Sequence, residues 1–395
     1  MDITIFPKKL RGSVTAIPSK SQAHRLMICA AFADAPTQLI VPETNRDMEA
    51  TADCLRALGA DIERTGNGYR IIPVCRVPDS AVLNCCESGS TLRFMLPVAG
   101  SLGVDATFLM EGRLPQRPLS PLQEEMERMG CRITRPTDNT LRCQGKLRCG
   151  NYCIDGGISS QFITGLLLGC ALMEGKSRVN VTGKLESAPY VEMTRRALTC
   201  FGVDADAPGG SKLRTPGTIA VEGDWSNGAF FLAAKAMGSQ VAVENLSPDS
   251  PQGDRAAAML LDALEENLHI DCSEIPDLVP ILSVVAASKK GAVFTNIRRL
   301  RLKESDRVAS VIAMLASLGG KAEATADTLT VRPCRFTGGT VDACKDHRIA
   351  MAAAIAATVA DAPVEILGAE CVSKSYPRFW EEYQRLGGSY EQHLR

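Results

Sequence analysis

Two kinds of helical pattern alternate along this chain. The first is short, apolar and built of small residues, and each copy opens from a polar loop. These openings are Pro18-Ser19-Lys20-Ser21, Ser88-Gly89-Ser90-Thr91, Gly156-Gly157-Ile158-Ser159-Ser160, Gly223-Asp224-Trp225-Ser226, Ile275-Pro276-Asp277 and Lys345-Asp346-His347. The second kind is more amphipathic and begins near Arg46, Arg117, Ala188, Asp254, Glu304 and Ser375. Val308, Val311, Ile312, Leu315 and Leu318, closed by Gly319-Gly320, show its helical spacing and glycine stop. Short β-rich runs such as Tyr69 to Val74, Ser177 to Thr182 and Ala292 to Ile297 fill the gaps. First-type starts recur about every 70 residues, with one interval of about 50 between the fourth and fifth, longer than most solenoid repeats. The pattern predicts an α/β protein of six two-helix, several-strand units, grouped three and three. A Pro- and Gly-rich stretch from Asp204 to Gly217 marks the crossing between halves.

Composition narrows the class. A chain of 395 residues has material for two or three domains with real cores. Its formal net charge of -1 gives no global field for nucleic acid or membrane, so an anion site has to come from local clustering. Fifteen cysteines, an odd number without a Cys-x-x-Cys pair, read as reduced, mostly buried thiols. Met1 to Ser13 has no apolar signal core, and the longest apolar candidate, Ile349 to Ala360, is too short to span a bilayer. A soluble, cytoplasmic protein is expected.

Cations stand where helix dipoles disfavour them. Lys303 and Arg307 lie at or inside a helix N-terminus, where acidic side chains normally sit. Lys20 and Arg25, Arg93, Arg117, His347 with Arg348, and Lys374 with Arg378 occupy comparable places. Any one of these reads as a surface charge or a local ion pair. Repeated at equivalent helix ends in a near-neutral protein, they point to a cleft for several phosphate or carboxylate groups. Glu304, set among the cations, is a candidate acid/base group. Ser159, Ser160 and Gln161 offer neutral donors, and Ser187 precedes another helix; simple capping is the competing reading. Asp277 is either an N-cap or a partly desolvated general base whose pKa burial would raise. No metal-ligand spacing and no Gly-x-x-x-x-Gly-Lys-Ser/Thr loop occurs, so no metal or cofactor is expected.

Seven stretches taken together resemble a known family. They are Pro18-Ser19-Lys20-Ser21 with Arg25, Ser88-Gly89-Ser90-Thr91 with Arg93, Gln116-Arg117-Pro118, Ser159-Ser160-Gln161-Phe162, Lys303-Glu304-Ser305-Asp306-Arg307, Asp346-His347-Arg348 and Lys374-Ser375-Tyr376-Pro377. In this order, from residue 18 to 377, they resemble the signatures of 5-enolpyruvylshikimate-3-phosphate synthases. The resemblance implies two similar domains, each of three βαβαββ repeats with inward helices and an active site in the interdomain cleft. It implies a discontinuous first domain of residues 1–12 and 226–395, on the phosphoenolpyruvate side, and a second of residues 13–225, on the shikimate 3-phosphate side.

The same resemblance implies the site. Shikimate 3-phosphate would meet Lys20, Ser21, Arg25, Ser159, Ser160, Gln161, Ser187, Asp277 and Lys303. Phosphoenolpyruvate would meet Lys20, Gly89, Arg117, Gln161, Arg307, Arg348 and Lys374. Glu304 would deliver and retrieve the proton at the methylene carbon, Asp277 would accept the hydroxyl proton, and Lys20 would assist phosphate departure. The working form is expected to be a monomer without nucleic-acid or membrane partners. Three positions depart from the family pattern: Arg299 replaces a frequent Asn, Phe94 follows Arg93 where others have Pro, and Glu87-Ser88 replaces Asn-Ala. The sister transferase acting on UDP-N-acetylglucosamine would show Lys-Asn near the first helix and a Cys before Arg117. Here Ser21 follows Lys20, and Glu111 to Gln116 contains no Cys. A non-catalytic sugar-phosphate sensor on the same scaffold is the other alternative.

Overall fold

The computed structural model describes residues 1–266 and 268–393. The chain divides into an inserted unit, Pro18–Glu222, and a split unit, Met1–Ile17 with Gly223–Arg395. The inserted unit holds helices α1 (Lys20–Ala31), α2 (Arg46–Ala57), α3 (Gly89–Leu102), α4 (Leu122–Arg128), α5 (Ser160–Ala171) and α6 (Ala188–Cys200). One four-stranded sheet runs Thr218–Ala220, Thr37–Ile40, Gly68–Ile72, Asp61–Thr65. A second runs Ser80–Asn84, Asp105–Leu109, Thr140–Gly145, Cys131–Thr137. Asn151–Asp155 and Arg178–Thr182 form a parallel pair.

The split unit repeats this plan with α7 (Trp225–Ala236), α8 (Ala257–Ala263), α9 (Val279–Ser288), α10 (Arg307–Ser317), α11 (His347–Ala357) and α12 (Phe379–Arg385). Its sheets run Gly339–Asp342, Val364–Leu367, Asp2–Phe6, Ser389–His393, and Leu268–Asp271, Ala292–Thr295, Thr328–Val331, Ala322–Ala324. Arg11–Thr15 and Gln240–Glu244 supply the parallel pair. Each unit thus carries three two-helix repeats, as the periodicity predicts.

The two helix patterns have distinct packing causes. In α11 every residue is buried, in α9 everything from Val279 to Ala287, and in α5 all but Gln161. A helix apolar on all sides has to be covered on all sides. The amphipathic α10 buries only a stripe, Arg307, Val308, Ser310, Val311, Met314 and Leu315. An aromatic cluster of Phe231, Tyr376, Phe379, Trp380 and Tyr383 seats the C-terminal segment on α7. It anchors the turn that ends at Lys374.

Small residues set the closest helix contact. Pro97 inside α3 has no N–H to offer the Arg93 carbonyl, and α5 approaches there. A Cβ on Gly165 would lie 2.1 Å from the Arg93 carbonyl oxygen, and one on Gly169 2.8 Å from that of Pro97. This approach brings Arg93 of α3 beside Gln161 of α5.

Some local expectations shift. Arg117 does not open a helix: it ends the 3₁₀ turn Leu114–Gln116 with φ -75° and ψ 139°, because a residue before proline is disfavoured in the helical region. The helix waits until Leu122. Lys303 and Glu304 lie in the link between the 3₁₀ turn Arg298–Leu302 and α10, whose N-cap is Asp306. The compact units divide at 17/18 and 222/223, where the sequence reading placed 12/13 and 225/226. Pairing of Arg11–Thr15 with Gln240–Glu244 holds residues 13–15 in the split unit. The cysteines are free, but Cys75, Cys149, Cys153, Cys200 and Cys344 are exposed rather than buried. Among the described residues no helix is long and apolar enough to cross a membrane.

The α3–α5 contact makes a sign-reversed test. Replacing an ordinary helical glycine by alanine gains up to about 1 kcal/mol. Gly165→Ala should instead lose about 1–3 kcal/mol through overpacking, read as a lower urea midpoint at unchanged m.

Candidate active site

Each unit gathers polar groups at the starts of its buried helices. In the inserted unit a serine stands at each start: Ser19 before α1, where its hydroxyl makes no cap bond, and Ser88 and Ser159, whose hydroxyls cap α3 and α5. Neutral caps leave the helix dipoles uncancelled by charge, and no acidic residue occupies the first turns. Lys20 Nζ reaches back 2.9 Å to Asp47 on α2. Ser21 stays partly exposed beside it.

Two guanidinium groups crowd the start of α3. A Cβ on Gly89 would lie 2.6 Å from Arg117 Nη1 and 3.3 Å from Arg93 Nη1. A side chain at this position would press on the ends of both guanidinium groups. Arg117 Nε is buried with no hydrogen-bond partner among the described residues. Arg93 donates to Gln161 Oε1 at 2.5 Å and to the Pro118 carbonyl at 3.1 Å, while Gln161 Nε2 donates to Ser90 Oγ at 3.0 Å. Like charges brought this close favour an anion between them.

Arg25, which the resemblance sets against shikimate 3-phosphate, is bonded within the inserted unit. Its guanidinium is 1% exposed and donates to Thr194 Oγ1 (2.8 Å), Thr164 Oγ1 (3.2 Å) and the Tyr190 and Ser21 carbonyls. It stacks on Phe94 at 5.0 Å. Burial pushes it down to about 9, against the opposing influence of Tyr190, and it remains a cation at neutral pH. The side chain braces α1 against α5 and α6. Ser160 is buried at the first residue of α5, Ser159 accepts from the Gln161 N–H, and Ser187 caps α6 in the left-handed region at φ 55°.

The split unit is built on charge balance. Arg307, 1% exposed, donates through Nε to Asp346 (2.8 Å), through Nη1 to Asp277 (2.5 Å) and through Nη2 to Glu304 (2.7 Å). Asp346 caps α11 through the Arg348 N–H at 3.0 Å and also accepts from Ser305 Oγ at 3.1 Å. Asp277 in turn meets Arg348 at 3.2 Å and Lys303 at 3.4 Å. One cation therefore fixes both candidate acid/base carboxylates. Lys374 ends a 3₁₀ turn whose next residue, Ser375, accepts from Asn227 Nδ2 on α7 at 3.1 Å. Arg299 donates to the Ser273 carbonyl at 2.8 Å.

The charges shape each group's proton affinity. Burial raises Asp277, but Arg348, Lys303 and Arg307 outweigh it and hold the carboxyl well below the usual range. The sequence expectation of a raised pKa fails because three cations surround that carboxylate. Asp277 is not the N-cap either; Leu278 holds that place on α9. For Arg307, burial is overcome by Asp346, Glu304 and Asp277, which push it well above its ordinary value. Burial brings Lys303 down to about 8 despite the Asp277 charge.

Sequence reasoning missed the partners of its cations. Asp47 and the Thr164–Thr194 pair were not singled out, and Ser90 and Asp346 appeared only inside motifs.

The family model described as EPSP synthase (3-phosphoshikimate 1-carboxyvinyltransferase) matches residues 6–268 and 264–383. The 3-phosphoshikimate 1-carboxyvinyltransferase of Clostridium kluyveri is 36% identical over 420 residues, covering 99% of this chain and 98% of that protein. The corresponding Clostridium perfringens protein is 36% identical over 416 residues, covering 98% of each. The solved EPSP synthase of Acinetobacter baumannii superposes with TM-score 0.81 at 25% identity, covering 99% of this chain and 100% of that one. The enolpyruvyl transferase NikO of Streptomyces tendae shares the fold, with TM-score 0.77 at 16% identity over 100% and 99% of the two chains.

Lys303 loses its charge near pH 8, so an anion that meets it should bind less tightly as pH rises. Sulfate keeps one charge state across the range, so its affinity reports the protein alone. Raising pH through about 8 removes the Lys303 proton. Sulfate binding, followed by calorimetry from pH 7 to 9.5, should weaken by roughly tenfold, the worth of one charged hydrogen bond. Lys303→Arg should flatten the profile.

Proposed function

The chain belongs to the EPSP synthase family, whose reaction moves the enolpyruvyl group of phosphoenolpyruvate onto the 5-hydroxyl of shikimate 3-phosphate, and we propose that here the cations hold the anionic groups while the split unit's carboxylates move the protons. The reaction releases inorganic phosphate and lies in the shikimate pathway to chorismate and aromatic amino acids. The observation that carries the assignment of roles is Arg307, a single buried guanidinium bonded to both Asp277 and Glu304.

Addition comes first. Glu304 in its acid form gives a proton to the methylene carbon of phosphoenolpyruvate, making a methyl group and leaving the adjacent carbon electron-poor. The 5-hydroxyl oxygen attacks that carbon as Asp277 accepts the hydroxyl proton. Elimination follows: Glu304 takes a proton back from the methyl group, the double bond re-forms, and the C–O bond to phosphate breaks. Lys20 neutralises the departing phosphate.

Asp277 is a poor base while three cations surround it. Arrival of substrate phosphate and carboxylate groups at Lys303, Arg307 and Arg348 offsets their field, so the Asp277 pKa climbs once both substrates are in place. Base strength is thereby coupled to occupancy, which limits proton transfer to water. Ser21, Ser159, Ser160, Ser187 and Gln161 serve shikimate 3-phosphate as neutral donors. Gly89, Arg117, Arg348 and Lys374 serve phosphoenolpyruvate. Arg25 and Arg93 support this set from behind, Arg93 by aiming the Gln161 amide. All of these groups come from one chain, so a monomer is a sufficient working unit.

Glu304→Gln keeps shape and hydrogen bonding but removes the proton. Steady-state phosphate release should fall 10²- to 10⁴-fold, the usual contribution of a general acid–base group, with shikimate 3-phosphate affinity within a few-fold of the parent. Turnover near the parent rate would remove Glu304 from the proton path. A parent that binds both substrates without releasing phosphate would instead favour the sensor alternative.

A further inference from the structure

Beneath the inserted unit's cations lies a buried polar chain to which no role in the reaction has been given. His24, on α1 between Lys20 and the apolar core, is fully buried. Its Nδ1 lies 2.7 Å from Thr51 Oγ1 on α2. Thr51 Oγ1 lies 2.7 Å from Thr91 Oγ1 on α3, and Thr91 Oγ1 lies 2.8 Å from Ser88 Oγ, the α3 N-cap. Thr91 Oγ1 also approaches the Asp47 carbonyl at 3.4 Å. The imidazole ring meets Phe94 edge-on at 6.2 Å, and the face of that same ring carries Arg25. One side chain therefore touches the packing of three helix starts.

The direction of the chain follows from its ends. The Asp47 carbonyl can only accept, and Thr91 Oγ1 donates to Ser88 Oγ at 2.8 Å. With acceptors at the far end, Thr91 donates outward, Thr51 donates to Thr91, and His24 has to donate from Nδ1. The opposite ring nitrogen, Nε2, has no hydrogen-bond partner among the described residues. A bare lone pair there is tolerable, whereas a buried N–H without an acceptor is seldom found. Both ends of the chain select the same tautomer.

We propose that His24 is a positioning residue for the inserted unit's anion-binding groups: as a neutral ring with its proton on Nδ1, it donates into the Thr51–Thr91–Ser88 chain and fixes the start of α1 against those of α2 and α3. Lys20 stands one turn above it on α1, and Asp47, the partner of Lys20, stands one turn above Thr51 on α2. Gly89, Ser90 and Arg93 follow Ser88 on α3. Burial drives the imidazole down to about 3, with Asp47 opposing and Lys20 and Arg25 reinforcing, so the ring stays neutral wherever the enzyme works.

The kinetic half of the test rests on the enolpyruvyl-transfer reading, and the spectroscopic half does not. In protein labelled with ¹⁵N-histidine, long-range ¹H–¹⁵N correlations report the tautomer of each of the four histidines. The signals missing in His24→Asn identify His24. A protonated Nδ1 and a bare Nε2, with shifts flat from pH 5.5 to 8.5, are expected. An Nε2–H tautomer, or titration within that range, overturns the proposal.

In the kinetic arm His24→Leu should lower kcat/KM for phosphoenolpyruvate by roughly 10- to 100-fold through misplaced cations. His24→Asn should stay within a few-fold of the parent, because its amide nitrogen occupies the place of Nδ1. Parent-like kinetics in His24→Leu, or equal damage in both variants, overturns the proposal. If His24→Leu does not fold, the tautomer measured in the parent decides. A parent without turnover overturns the enzymatic reading and leaves the spectroscopic result to judge His24.

Discussion

A guanidinium sealed from water is costly unless anions meet it, and Arg307 meets three. Asp346, fully buried, takes Nε; Asp277 and Glu304 take the two terminal nitrogens. Removing one partner of such a buried set typically costs about 3–5 kcal/mol, since an uncompensated charge is left behind. The link before α10, the start of α11 and the turn before α9 are therefore bound to one another by a single side chain. Geometry of the candidate acid/base pair and stability of the split unit are the same constraint.

The two units solve one problem in opposite ways. The inserted unit starts its buried helices with the neutral Ser19, Ser88 and Ser159 and sets Arg93 and Arg117 beside them, with Lys20 paired to Asp47. The split unit caps α7 with Asp224 and α11 with Asp346, and sets further carboxylates beside its arginines. Helix dipoles uncancelled by charge and clustered guanidinium groups favour anions. Balanced charge suits proton transfer, because a carboxylate held by cations changes its affinity for protons when those cations find other anions. The repeat supplies the same helix start six times; the residues placed there make the difference.

Much of this was legible from the sequence, and the reasons for the rest are physical. The starts of α1 at Lys20, α2 at Arg46 and α6 at Ala188 follow from local pattern, to which Asn45 adds a side-chain cap on α2, and neither needs a tertiary contact. Arg117 escaped because Pro118 overrides the periodicity beyond it. The boundary at 17/18 depends on Arg11–Thr15 pairing with a strand more than two hundred residues away. Partner identity is equally non-local: Arg25 meets Thr194 at a separation of 169 residues, and Arg307 meets Asp346 at 39. Motifs named the cations but not their protein partners, such as Thr164 and Thr194 for Arg25. Asp277 read either as an N-cap or as a partly desolvated base, and burial alone gave the second reading the wrong sign, because its three cationic neighbours come from Lys303, Arg307 and Arg348.

The central claim is that Arg307 acts through the fork geometry of its donors and not through charge alone. Arg307→Lys preserves the cation but cannot hold three carboxylates at once. Phosphate release from shikimate 3-phosphate and phosphoenolpyruvate, measured at saturation, should fall by at least about 10²-fold, as expected when positioned groups lose alignment. A kcat for Arg307→Lys equal to that of the parent would contradict the account.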